Sequence, residues 1–163
     1  MNKANIPFLS AAELADLIRK REVSPVDAVD AYLERIEALD GKLYAYLTVC
    51  GDEARQAARE SERALARGGP RGPMHGVPFA VKDQLYTRGI RTTGGSPIFN
   101  DFVPDEDATV ITNMKKAGGI LLGKLNMTEF ATTGLAHAFN VARNPWDLER
   151  YTGGSSSGSG AAT

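Results

Sequence analysis

A lysine at the end of an apolar run and a serine-rich glycine run far downstream are the residues of this chain with most capacity for chemistry. The run "VPFAVKD" places Lys82 and Asp83 at the end of a segment whose composition marks it as a buried strand. An ammonium buried there is costly unless it is paired or gives up its proton. Two outcomes are open on the residues alone. Lys82 is exposed or paired with Asp83 or another carboxylate, a structural role; or it is a neutral lysine able to accept a proton from a hydroxyl, activating a serine without histidine. The terminal block "YTGGSSSGSGAAT" also has two readings. It is a flexible Gly/Ser linker, or it is a turn feeding a helix N-terminus, where backbone N–H groups and small hydroxyls converge on developing negative charge. The preceding "NPWDLER", with its Asn144-Pro145 turn and Trp146, and the following "GAAT", which can open a helix, weigh against a linker.

Other nucleophile and ligand chemistry is scarce. His75 lies in a Gly/Pro-rich loop and His137 in "GLAHAFN"; neither belongs to a GxSxG or HExxH pattern, so both read as structural or solvent-facing. That disfavours a Ser-His-Asp triad within these residues. No CxxC or HxxxH spacing exists, and no metal or other cofactor is expected. Cys50, the single cysteine, sits in the apolar run "LYAYLTVC" and reads as a buried structural thiol.

The elements that must position Lys82 and the serines follow from patterning. Ser10 with Glu13 forms a capping box ahead of a helix whose Leu14, Leu17 and Ile18 share a face. Ser24 caps a second helix with Pro25 at its first position and an apolar stripe of Val26, Val29, Tyr32, Leu33 and Ile36, expected to end at Gly41. "KLYAYLTV" reads as extended and "DEARQAARESERALARG" as a mostly solvated helix. The glycines and prolines of "GGPRGPMHG" mark a loop and a layout boundary, giving a helical region over 1–70 and an α/β region over 71–163. Beyond it, strand "VPFAVKD", helix "DATVITNMKKAGG" and strand "ILLGKLN" predict an α/β sheet.

Composition narrows the partners. At 42% hydrophobic and 24% charged residues the chain has an ordinary globular composition. Lys and Arg number 19 against 20 Asp and Glu, with no long basic run, so direct nucleic-acid binding is not expected. The N-terminus lacks a signal-peptide pattern and no apolar run is long enough to span a bilayer. A cytoplasmic protein without membrane contact is expected.

Taken together, "GVPFAVKD", "TTGGS", "DATVI", "AGGILLGKLNMTEF", "NPWDLER" and "GGSSSGSGAA" resemble, in order and spacing, the amidase signature enzymes, over roughly positions 10 to 163. The resemblance implies an α/β fold with a mixed β-sheet core flanked by helices and preceded by N-terminal helices. The chain would be an incomplete, N-terminal portion of that fold. It also implies that the Gly/Ser run is part of a catalytic site. Lys82 matches the family's lysine, and Ser155, first after Gly153-Gly154, matches its bridging serine beside a cis peptide bond. In the implied Ser-cisSer-Lys relay, neutral Lys82 takes a proton from Ser155, which takes one from the nucleophilic serine. Asp83, Gly154, Ser156 and Ser157 would support this network, with Ser159 a further hydroxyl nearby; serines in such a turn also serve as solvated or capping residues. "FATTGLAH" matches a region lining the acyl pocket, making Thr132, Thr133 and Gly134 candidate substrate contacts; a helix end followed by a loop explains them equally well.

The resemblance has limits within this chain. The acyl nucleophile and the oxyanion-hole N–H groups lie, in similar proteins, in a second Gly-Ser motif expected beyond Thr163. Ser157 stands where many relatives carry glycine, and "RYTGG" replaces a more usual proline; both fit the turn. The implied function is a serine hydrolase of amide or related C–N acyl bonds, including carbamates, acting through an acyl-enzyme without metal, on a small amide, ester or carbamate, with a homodimer as an open possibility. The alternatives are the glutamine-hydrolysing component of a tRNA-dependent amidotransferase, which shares "NPWDLER" but usually carries "GGSSGGSAA" and an "IKDN"-like block, and a catalytically incomplete fragment or pseudoenzyme.

Overall fold

The computed structural model describes residues 2–132 and 139–163. Helix α1 (Ala11–Arg19) starts where its sequence says it should: Ser10 accepts from the Glu13 N–H, and the Glu13 side chain bonds back to the Ser10 backbone. Helix α2 (Pro25–Leu43) begins at the Ser24-Pro25 step, with the Val26 N–H on the Ser24 hydroxyl at 3.0 Å. It runs through Gly41 rather than ending there. Gly41 has open space around its Cβ position, so nothing forces a break, and the chain leaves the helix only at Tyr44, whose φ is +52°. The Asp40 carboxylate then receives the N–H groups of Ala45 and Tyr46 and turns the chain into strand β1 (Tyr46–Val49).

Helix α3 (Gly51–Gly68) buries a narrow stripe of Ala54, Ala58, Ser61 and Leu65 and leaves its charges in water. Strand β2 (Pro78–Lys82), helix α4 (Thr109–Lys116) and strand β3 (Ile120–Leu125) follow. The sheet order is β1-β3-β2. β1 runs antiparallel to β3, pairing Tyr46 with Leu125 and Val49 with Gly123. β2 and β3 run in the same direction, since Ile120 N–H donates to the Val77 carbonyl at one end and Asp83 N–H to the Leu125 carbonyl at the other. The sheet is therefore mixed and flanked by helices, as expected of an α/β chain. Strands β4 (Arg143–Asn144) and β5 (Asp147–Tyr151) form a separate hairpin around the Asn144-Pro145 turn. The Asn144 side chain takes the Trp146 N–H in its turn. Helix α5 (Ser157–Ala162) lies inside the Gly/Ser run itself.

The residues group into two compact units whose segments interleave in sequence. The first comprises Met1–Ala38, Cys50–Phe79 and Thr112–Leu122. Its core has one cluster built on Leu14, Ile18, Ala28 and Val77 and a second built on Val29, Leu33, Ala58 and Ile120. Cys50 is buried there. The second unit comprises Leu39–Val49, Ala80–Ile111 and Gly123–Thr163, and contains Lys82, Asp83 and the terminal serines. Among the described residues no helix is long and apolar enough to cross a membrane.

Candidate active site

Strand alternation separates the two charged residues that close β2. Val81 points into the buried face and Lys82 is half-exposed on the other, so the next residue, Asp83, turns inward and is fully buried. The Asp83 carboxylate accepts the N–H of Thr93 at 2.8 Å and its hydroxyl at 2.5 Å. Its other oxygen lies 3.4 Å from the ammonium of Lys124, which is itself fully buried and donates to the Leu85 carbonyl and the Thr92 hydroxyl. Asp83 therefore belongs to an internal ion pair with Lys124 and leaves its sequence neighbour unpaired. Lys124 sits in the apolar strand "ILLGKLN", where nothing local marks it as a partner.

Lys82 points to the serine run. Its Nζ lies 2.6 Å from Ser155 Oγ, the one hydrogen bond it makes among the described residues, and no described carboxylate pairs with it. Burial without a compensating anion pulls the Lys82 pKa below the ordinary lysine value. The Gly154-Ser155 peptide bond is cis.

The serine loop is anchored by the stretch that continues β3. Thr128 N–H donates to the Ser155 carbonyl at 3.1 Å, and Gly158 N–H donates to the Asn126 carbonyl at 2.8 Å. Asn126 is 4% exposed and acts as a hub: its amide donates to the carbonyls of Tyr44 and Asn140 and its side-chain oxygen takes the Met127 N–H. Gly158 is required at the start of α5, because a Cβ there would stand 2.2 Å from the Ala45 carbonyl oxygen and 2.4 Å from the Asn126 nitrogen. Ser156 is exposed at the head of α5 and Ser157 is buried, its carbonyl accepting the Thr152 hydroxyl. Neither hydrogen-bonds Lys82 or Ser155. Thr132 is exposed and bonds its hydroxyl to the Glu129 carbonyl, closing a short 3-10 turn. Thr133, Gly134 and His137 lie outside the described residues.

His75 is buried in the first unit. Its Nδ1 accepts the Arg71 N–H at 3.0 Å, which places the proton on Nε2, facing the Ser61 hydroxyl and carbonyl. Among the described residues no group of three or more His, Cys, Asp or Glu is arranged to hold a metal ion.

A lysine amine on a serine hydroxyl, carried by a glycine-rich turn, is a geometry in which an amine can accept a hydroxyl proton without histidine. The Amidase family profile matches residues 27–163, and the chain belongs to that family. It is 49% identical over 157 residues to the glutamyl-tRNA(Gln) amidotransferase A-chain protein of Moorella thermoacetica, covering 95% of this chain and 32% of that protein. The protein of the same name from Geobacter sulfurreducens is 50% identical over 156 residues, covering 94% and 32%. The solved peptide amidase from Stenotrophomonas maltophilia superposes with a TM-score of 0.86 at 33% identity, covering 92% of this chain and 32% of that one. The chain spans about a third of the length of the curated relatives it matches.

Proposed function

We propose that this chain supplies two members of a Ser-Ser-Lys relay that hydrolyses amide or related C–N acyl bonds. The observation that carries the reading is the 2.6 Å contact between Lys82 Nζ and Ser155 Oγ, in a lysine with no anionic partner among the described residues. In its neutral form Lys82 accepts the Ser155 proton, and Ser155 accepts the proton of a nucleophilic serine contributed by a downstream Gly-Ser motif. That serine attacks the acyl carbon. The C–N bond then breaks as the proton chain reverses onto the leaving nitrogen, leaving an acyl-serine ester and a free amine. Water, deprotonated through the same chain, adds to the ester and releases the acid. Ser156 and Ser157 support the turn that carries Ser155, and Thr132, Thr133 and Gly134 are the candidate substrate contacts, the last two outside the described residues.

The 49% and 50% identity to glutamyl-tRNA(Gln) amidotransferase components favours a particular version of this chemistry, in which the amide is the side chain of glutamine and the released ammonia passes to a partner enzyme. A free-standing hydrolase would use the same relay on a small amide, ester or carbamate. Assaying the complete protein on glutamine and on simple aryl and alkyl amides, with and without a charged tRNA and its amidotransferase partners, separates them. Glutamine turnover that depends on those partners assigns the amidotransferase component; partner-independent turnover of simple amides assigns the hydrolase. Absence of both activities would overturn the relay reading.

A further inference from the structure

One short stretch, Leu125 to Thr128, bonds the residue that follows Lys82 at one end and Ser155 at the other. Its first residue takes the Asp83 N–H at 3.0 Å and so fixes the end of the lysine strand. Its second takes the Gly158 N–H, and its last gives its own N–H to the Ser155 carbonyl. Four residues of chain thus link the end of the lysine strand to the serine. At the serine end the fit is close. Thr128 is 6% exposed, and a Cβ placed on Gly154 would stand 2.9 Å from the Thr128 methyl carbon, nearer than such atoms approach. The Thr128 hydroxyl is buried and has no hydrogen-bond partner among the described residues. The side chain therefore contributes shape, and the backbone N–H contributes the hydrogen bond to Ser155.

We propose that Thr128 is a positioning residue for the Lys82–Ser155 pair, its N–H holding the Ser155 carbonyl and its methyl packed against Gly154 so that Ser155 Oγ stays on Lys82 Nζ. The inference rests on the relay reading above for its catalytic meaning, and on geometry alone for the packing. Removing the methyl leaves a gap beside Gly154, and adding a methyl at Gly154 overfills it. Either change moves the serine off the lysine, and water entering between them relieves the desolvation that lowers the Lys82 pKa.

The test is a reciprocal swap in the complete protein: Thr128→Ser, Gly154→Ala and the double variant. Each single variant is expected to lower kcat by about a hundredfold, as an ångström-scale misplacement does, with little change in KM. Each is also expected to raise the Lys82 pKa, read from the pH titration of its 13Cε resonance and assigned by its loss in Lys82→Arg. In the double variant the alanine methyl occupies the vacated space, and both kcat and the Lys82 pKa return most of the way to the parent values. Should Gly154→Ala fail to fold, recovery of folding in the double variant supports the same complementarity. Single variants that leave kcat and the Lys82 pKa unmoved, or a double variant no better than the worse single, would overturn the proposal. The resonance arm does not depend on turnover, so an inert parent protein sinks the relay reading while the positioning claim is still decided.

Discussion

Lys82 and Ser155 are 73 residues apart in sequence and 2.6 Å apart at their functional atoms, while Asp83, next to Lys82 in sequence, faces the opposite way onto Lys124. The alternation of a single strand therefore divides two tasks. One side buries a compensated ion pair; the other presents an uncompensated amine to a hydroxyl.

That division sets the pH dependence. Burial depresses the Lys82 pKa below 10.5, and the neutral amine is the form that accepts a proton. For the complete enzyme, kcat/KM is expected to rise about tenfold per pH unit below that pKa and to level off above it, with the midpoint under the ordinary lysine value. A pH–rate profile checks this; a bell centred on a histidine-like midpoint would point to another base.

Ser155→Ala removes only the hydroxyl, since the backbone bond from Thr128 is kept. The variant is expected to lose at least about a thousandfold in kcat, the scale on which members of a catalytic unit fail. Its thermal midpoint should stay close to the parent's. Unfolding instead would assign Ser155 a structural role.

Lys124 and Asp83 predict a stability effect of a different kind. Both side chains are fully buried, so Lys124→Met leaves the Asp83 carboxylate without its cation and is expected to destabilise by about 3–5 kcal/mol. Adding Asp83→Asn should recover part of that loss. Denaturant unfolding of the two variants measures it, and additivity of the two changes would contradict the pairing.

His75 gives the chain an acid-sensitive point. Burial is the main cause holding its pKa below 6.5, and its Nδ1 is occupied as an acceptor from Arg71. A depressed folded-state pKa means that the neutral histidine's contribution is fully present above pH 6.5 and is lost as pH falls through the lower, folded value. His75→Asn, whose side-chain oxygen can replace Nδ1, is expected to flatten the pH dependence of stability in that window. Thermal melts across the range read it directly; an unchanged slope would remove His75 as the cause.

Much of this was legible beforehand, and the exceptions share a cause. The Ser10–Glu13 capping box, the Ser24-Pro25 start and the lysine-ended strand are local patterns, and local backbone geometry realises them. Gly41 misled because glycine ends a helix only where a left-handed turn or a clash demands it, and at Gly41 neither does. Helix α5 was hidden inside a run of poor helix formers; the Gly158–Asn126 bond, made across 32 residues, holds its first turn. Nothing local marks Lys124 or Asn126, because their partners, among them Leu85, Thr92 and Tyr44, lie far away in sequence. The family resemblance singled out Ser155, which patterning alone left as one serine among four, and the role proposed for it rests on that resemblance and on its contact with Lys82.

The most direct test of the central claim is acyl-enzyme formation by the complete protein carrying Lys82→Ala. Intact mass is followed after mixing with an activated aryl ester whose acyl group leaves slowly. The parent is predicted to gain the acyl mass within the mixing time, and the variant to remain unmodified over the same period at any pH below the parent's plateau. Acylation of Lys82→Ala at the parent rate would contradict the assignment of Lys82 as the base that activates the serine relay.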